Sequence, residues 1–197
     1  DPRFGKPNFK GRIPGQIVAN ALYYYTKPGE YLVDPFAGSG TLGDIIDSLP
    51  HFQDRKYKMY DANPIDDRIA RNNLLLTGIP EQSGSVDYVF IDPPLDFTQR
   101  DATTDFEVSM DATRADFMLK FKGMIRECAR ILKSGGKVSM VIEPAFAISE
   151  FIDFPNEVTH LFKELGFKPI GKVYLPKRSG ESISRSSCAT FPMGWSL

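Results

Sequence analysis

Long apolar runs are missing from this chain. None of its segments approaches the roughly 20 residues needed to span a bilayer. The opening stretch, Asp1-Pro-Arg-Phe-Gly-Lys6, also lacks the basic-then-apolar pattern of an export signal. Both absences argue for a cytoplasmic protein with no membrane partner. Cysteine is scarce: Cys128 and Cys188 are the only two in 197 residues, and their separation is not a metal-ligand spacing. Cys128 falls on the apolar face of a predicted helix, so a reduced core thiol is expected and no metal site. The two histidines, His51 and His160, are isolated, which removes both from the catalytic candidates. Net charge is only −1, a balance that neither requires nor forbids a nucleic-acid partner. What is present is ordinary for a globular protein with a core: 42% apolar and 25% charged residues in a length that fits one domain.

Residues 1–12 are rich in Gly, Lys, Arg and Pro and read as an extended or loosely ordered arm. Pro14 then suits a helix N1 position, and Ile17, Val18, Ala21, Leu22 and Tyr25 recur at helical spacing until Lys27-Pro-Gly29 stops them. A strand is expected at 31–35, followed by a helix carrying Leu42, Ile45, Ile46 and Leu49. A second strand is expected at 56–60, a short helix at 65–72 and a third strand at 73–77. The run Val86–Ile91 suits a strand buried on both faces. The clearest helix, about 113–132, puts Phe117, Phe121, Met124, Ile125, Cys128, Ile131 and Leu132 on one face, and Lys133-Ser-Gly-Gly136 ends it. Beyond lie expected strands at 137–142, 167–174 and, as an edge, 187–191, with a helix at 156–165 and a mobile loop at 176–186. Strands alternating with helices imply an α/β fold with a mostly parallel sheet covered on both faces. Such sheets bind ligands beyond the carboxyl ends of their strands.

Two motifs sit at such ends. The first is Asp34-Pro-Phe-Ala-Gly-Ser-Gly-Thr41, after the strand-like Tyr31-Leu-Val33. Gly38, Gly40 and Gly43 satisfy G-x-G-x-x-G, and Asp61 follows eighteen residues later, so the pattern is formally that of a dinucleotide-binding turn. Asp34 weighs against a dinucleotide, because a carboxylate before the turn repels a pyrophosphate and partly cancels the positive helix N-terminus. It suits a ligand with a cationic amino group, such as the methionine end of S-adenosylmethionine. Asp61 can accept hydrogen bonds from the ribose hydroxyls of the same ligand.

The second motif is Asp92-Pro93-Pro94, followed by Leu95. Two prolines fix the backbone and leave carbonyls without competing N–H donors. The carbonyls and the Asp92 carboxylate then form an acceptor cluster. A planar amino group such as adenine N6 has its lone pair delocalised into the ring and is a poor nucleophile. Acceptors gripping both of its N–H bonds favour a pyramidal nitrogen, a stabilisation that grows towards the transition state.

These two motifs resemble motifs I and IV of the amino-group DNA methyltransferases, which modify adenine N6 or cytosine N4. Gly11-Arg-Ile-Pro14-Gly15-Gln16-Ile-Val18 through Tyr25 resembles their motif X, a helix closing over the methionine end of the cofactor. Asp61-Ala62-Asn63 resembles motif II, with its ribose-binding acid, and Glu127–Gly136 the stretch before the fifth strand. The order X, I, IV is the gamma-type arrangement. The resemblance covers about residues 11–143 and implies a Rossmann-like S-adenosylmethionine-dependent methyltransferase with a mostly parallel seven-stranded sheet, helices on both faces and an antiparallel last strand. It implies a single catalytic domain over 1–197 that transfers a methyl group directly to a flipped-out base. The resemblance implies S-adenosyl-L-methionine as cofactor, held by Pro14, Gly15, Gln16, Asp34, Pro35, Phe36, Ala37, Gly38, Ser39, Gly40, Thr41, Asp61, Ala62 and Asn63. Asp92, Pro93, Pro94 and Leu95 form the catalytic motif. Aspartate at position 92, rather than serine, favours adenine N6 in DNA over cytosine N4.

Three departures from the family pattern bear on substrate. The position after Asp-Pro-Pro is usually an aromatic that stacks on the base; here it is Leu95, so either Phe97 takes over or stacking is lost. In place of the motif III acid stand Asn72 and Asn73. No segment has the length of a target-recognition domain, which points to a partner subunit or dimer supplying recognition. Lys168, Lys172, Lys177, Arg178 and Arg185 make one stretch basic, and Lys177 and Arg178 are the candidates for contacting nucleic acid. Asp101, Asp105, Glu107 and Asp111 make another stretch acidic, and Glu143 stands at a strand end facing the ligand edge. The same motif chemistry also fits methylation of an RNA base or of a protein glutamine amide, and Leu95 leaves room for a catalytically weak cofactor-binding subunit.

Overall fold

The computed structural model describes residues 4–6, 9, 12–93, 114–142, 145–147, 150–173 and 191–196. In chain order the elements are α1 (Gly15–Tyr25), β1 (Tyr31–Asp34), α2 (Thr41–Ser48), β2 (Lys56–Asp61), β3 (Ile69–Arg71), α3 (Leu74–Thr77), β4 (Val86–Ile91), α4 (Arg114–Ile131), β5 (Leu132–Ile142), β6 (Ala145–Ala147), β7 (Glu150–Ile152), α5 (Phe154–Glu164), β8 (Lys168–Lys172) and β9 (Phe191–Ser196). The main sheet runs β3-β2-β1-β4-β5-β9-β8, and β6 and β7 form a separate antiparallel pair. Neighbours from β3 to β5 are parallel, while β9 is antiparallel to both β5 and β8.

Strict alternation along the central strands divides the core into two layers. Val33, Val89, Ile91, Val138, Met140 and Ile142 face α3, α4 and α5. Leu32, Met59, Tyr88, Phe90 and Val141 face α1 and α2. A strand covered on both faces needs apolar residues at successive positions, which is why β4 reads as a nearly unbroken apolar run. On α4, Phe121, Met124, Ile125, Cys128 and Ile131 are all buried, and burial pushes the Cys128 thiol well up, leaving it an inert core group. The loop before β4 is stapled to α4. Glu127 accepts the Ile79 N–H (3.0 Å), and Arg130 donates to the carbonyls of Ile79 (2.7 Å) and Glu81 (2.8 Å). Among the described residues no helix is long and apolar enough to cross a membrane.

Several sequence expectations are corrected. Residues 73–77 are not a strand: the Asn73 side chain accepts the Leu75 N–H and caps the one-turn helix α3, and the third strand is Ile69–Arg71, within the segment expected to be helical. Pro14 is the N-cap of α1 rather than its first residue. The last described strand is Phe191–Ser196, which meets the expected 187–191 at Phe191 (residues 187–190 lie outside the described residues), and it is inserted between β5 and β8 instead of lying at an edge. Trp195 lies in this strand opposite Val138 and Pro169. The N-terminal arm is not loose where it is described. Phe4 is buried with the α1–α2 layer, and the Gly5 N–H donates to Asp44 at 2.7 Å.

Candidate active site

Three aspartates end adjacent strands on one face of the sheet. Asp34 closes β1 and pairs in register with Met59 of β2, so Asp61, two residues beyond Met59, shares its face. Leu32 pairs with Tyr88 of β4, and Asp92 follows Tyr88 and Phe90 at the same two-residue alternation. All three therefore stand on the side covered by α1 and α2. Asp34 is 4% exposed and takes one hydrogen bond, from the Phe36 N–H at 3.0 Å. Burial pushes its carboxyl well above the usual carboxylate range; the Phe36 N–H opposes that rise, and the charges of Asp92 and Asp61 add to it. The acids are not arranged for a metal: among the described residues no three of His, Cys, Asp and Glu group closely enough to hold an ion.

The glycine-rich turn joins β1 to α2, and each glycine has its own reason. Gly38 and Gly40 hold φ of +48° and +81°, the left-handed region that favours glycine. At Gly43 a Cβ would lie 2.7 Å from Met59 Cε, so glycine lets α2 pack closely on β2. The turn is braced from the neighbouring strand: the Ala37 N–H donates to the Tyr60 carbonyl (2.9 Å) and the Gly38 N–H to Asp61 Oδ2 (2.9 Å). Asp61 Oδ1 accepts the Asn63 N–H at 2.8 Å, so this carboxylate organises two loops before any ligand arrives. Ser39 and Thr41 are buried with their hydroxyls 3.3 Å apart, and Thr41 is the first residue of α2.

The other expected site residues fall around this centre. Pro35 is buried, Phe36 half-buried against the α4 layer, and Ala62 half-buried with its carbonyl accepting from Arg71 (3.1 Å). At the start of α1, Pro14 and Gln16 are exposed and Gly15 is buried under Phe4, whose Cδ2 would be 2.6 Å from an added Cβ. Asp92 is half-buried and Pro93 buried. Asn72 spends its side chain locally, donating to the Gly78 carbonyl and accepting from Thr77 Oγ1, both at 2.8 Å, while its N–H donates to the Asp61 carbonyl (2.9 Å). Asn73 Nδ2 is buried without a partner. Pro94, Leu95, Phe97, Lys177, Arg178, the acidic stretch and Glu143 lie outside the described residues.

Residues not foreseen from sequence complete the surround. The Phe9 ring sits over Gly38, its Cε1 3.0 Å from where a Cβ would be, and Gly5 packs on Ser39 and Thr41. Arg68 bonds Asp44 (2.7 Å), Asp47 (3.0 Å) and Asp66 (3.0 Å), locking the loop after β2 to α2. A phenylalanine and a glycine in an otherwise polar arm were the available signal for the first group. Arg68 offered none, since its partners are scattered in sequence.

The fit to S-adenosylmethionine follows from these donors and acceptors. A buried carboxylate among like charges suits the ligand's ammonium group, a half-exposed carboxylate at the end of β2 suits ribose hydroxyls, and the left-handed glycines keep the turn free of side chains.

No family model matches the chain. Over 62 residues it is 38% identical to the type II methyltransferase M.Cfr9I of Citrobacter freundii, a match covering 32% of this chain and 19% of that protein. The chain thus matches about a fifth of the length of this relative. Among solved structures, a S-adenosylmethionine-dependent methyltransferase from Methanosarcina mazei superposes with a TM-score of 0.59 at 14% identity, covering 89% of this chain and 95% of that one. The 1,6-didemethyltoxoflavin-N1-methyltransferase of Burkholderia thailandensis, solved with bound 1,6-didemethyltoxoflavin and S-adenosylhomocysteine, gives 0.59 at 12% identity, covering 96% and 79%. Strand order, the inserted antiparallel β9 and these superpositions agree: the chain has the Rossmann-like fold of the S-adenosylmethionine-dependent methyltransferases.

Proposed function

We propose that this chain transfers a methyl group from S-adenosylmethionine to an exocyclic amino group of a nucleobase, adenine N6 in DNA before other substrates. The observation that carries the reading is the pairing of Asp92-Pro93 at the end of β4 with Asp34 at the end of β1, on one face and within each other's electrostatic field. The likeness of part of the chain to a type II methyltransferase supports the choice of DNA. The bound cofactor supplies an electrophilic methyl group. Asp34 binds its ammonium, Asp61 its ribose hydroxyls, and the turn from Pro35 to Thr41 with Pro14–Gln16 encloses its methionine end. The Asp92 carboxylate and the carbonyls of Asp92 and Pro93 accept the two amino N–H bonds, which directs the nitrogen lone pair towards the donor. Leu95 or Phe97 flanks the base, Lys177 and Arg178 contact phosphate, and a partner subunit or second copy supplies target recognition.

The test is incubation of the protein with labelled donor and DNA, RNA and protein fractions, followed by mass spectrometry of the released nucleosides. N6-methyldeoxyadenosine is the expected product. Label confined to RNA, or to a glutamine amide in protein, refutes the DNA assignment while keeping the amino-group chemistry. Cofactor binding without turnover on any fraction supports the reading of a cofactor-binding subunit.

A further inference from the structure

We infer that Asp34 carries a proton in the ligand-free protein and gives it up when an ammonium group docks on it, so that cofactor binding releases one proton to the buffer. This rests on the proposal that the turn after β1 holds S-adenosylmethionine. In the step itself the carboxyl O–H bond breaks, its proton passes to solvent, and the anion left behind accepts a hydrogen bond from the ligand's N–H.

The geometry argues for it from three sides. Asp34 is 4% exposed, yet among the described residues a single donor, the Phe36 N–H, reaches it. An isolated anion so placed loses most of its hydration with little in return. From β2 and from the end of β4 the groups facing it are Asp61 and Asp92, both of its own sign. Beneath it, on the same face of β4, the Tyr88 hydroxyl is fully buried, and no hydrogen bond joins it to Asp34. Tyr25 of α1 is neutral across the working range, its hydroxyl pushed up by burial. Among the described residues no lysine, arginine or histidine forms an ion pair with Asp34. Among the described residues no cation faces it, so the ligand's ammonium reverses the balance that kept the carboxyl neutral.

The coupling has a definite sign. Where Asp34 is protonated in the free protein and ionised in the complex, affinity rises with pH, by up to about tenfold per unit for one proton. It levels off once the free protein has lost that proton, and falls again as the ligand's α-amino group, near pH ~8, loses its charge.

The experiment is calorimetric titration of the whole chain with S-adenosylhomocysteine at pH 6 to 7, in phosphate and in an amine buffer of large ionisation enthalpy. The difference in heat between buffers counts the protons. Release of about one proton by the wild type, and none by Asp34→Asn, is the expected result. Binding with no proton exchange overturns the coupling and leaves the cofactor site standing, whereas no binding at all by the wild type overturns both. Should Asp34→Asn bind too weakly to titrate, the infrared difference spectrum of the wild type on ligand addition decides. Loss of a protonated-carboxyl band supports the inference, and an unchanged carboxyl region refutes it.

Discussion

Asp61 offers the sharpest test of how the site is assembled, because its two carboxylate oxygens already have protein partners. Oδ2 accepts the Gly38 N–H at 2.9 Å and Oδ1 the Asn63 N–H at 2.8 Å. Hydrogen bonds to a charged group contribute about 1.5–3 kcal/mol each. Asp61 is half-exposed, so water replaces part of what is lost. Asp61→Ala is therefore expected to destabilise the free protein by about 1–2 kcal/mol, a fall of roughly 2–8 °C in melting temperature for a domain of this size. The same change loosens the turn and removes acceptors for the ribose hydroxyls, adding about 2 kcal/mol to binding, or roughly 30-fold in Kd. Asp61→Asn keeps one acceptor and should lose about half as much on each scale. Thermal melting of the free variants and calorimetry with S-adenosylhomocysteine read the two effects separately. If Asp61→Ala melted within about 1 °C of wild type and bound within about twofold, neither the brace nor the ribose role would stand.

Three further outcomes follow from other parts of the structure. Asp92→Ala should lower methyl transfer by at least about 100-fold while Kd for S-adenosylhomocysteine stays the same or tightens, since a like charge beside Asp34 is removed; normal turnover would mean that the acceptor site is elsewhere. Gly5→Ala places a Cβ 2.5 Å from Ser39 Oγ at a φ of +71°, so the arm should detach, the melting temperature fall by about 2–4 °C, and trypsin cut faster after Arg12, which donates to the Phe4 and Gly5 carbonyls; unchanged cleavage refutes the docking. The Glu127 carboxyl is held below its usual range chiefly by Arg130, with the Ile79 N–H helping against burial. Its contribution is therefore present above the unfolded-state pKa and lost as pH falls through the lower folded one, so Glu127→Gln should cost about 1 kcal/mol at pH 7 and almost nothing near pH 2, measured by urea melts at both.

The parts of this fold that follow from neighbouring residues could be read from the chain. β4 and α4 announce themselves because burial on two faces, or on one helical face, dictates residue type at successive or i, i+3, i+4 positions. The positions of Asp34 and Asp61 at strand ends were legible for a similar reason, since the glycine turn after β1 and the Asp-Ala-Asn-Pro turn after β2 mark where those strands stop. What could not be read depends on distant partners. The strand at 69–71 pairs only with Met59–Asp61 and has no apolar period of its own. The leucines at 74–76 have strand-like chemistry, but the Asn73 cap and Gly78 at a φ of +71° turn them into a helix. The arm appeared loose because Phe4 and Phe9 find their contacts on Gly15 and Gly38, which no local pattern reveals. Arg68 likewise depends on acids brought together by the α2–β2 packing.

The insertion of β9 between β5 and β8 has a consequence for synthesis on the ribosome. Every strand from β1 to β8 is translated before β9, and until β9 pairs, β5 and β8 each present an open row of backbone donors and acceptors. The residues that fill both gaps are 191–196, pairing Lys137–Ile142 on one side and Lys168–Lys172 on the other. A nascent chain released before residue 191 would expose two sheet edges flanking a missing strand, a template for pairing with other chains. Closure is thus a late, long-range event, and a circular permutant that moved 191–196 ahead of β1 should let the sheet close as β8 emerges, with less aggregation during refolding.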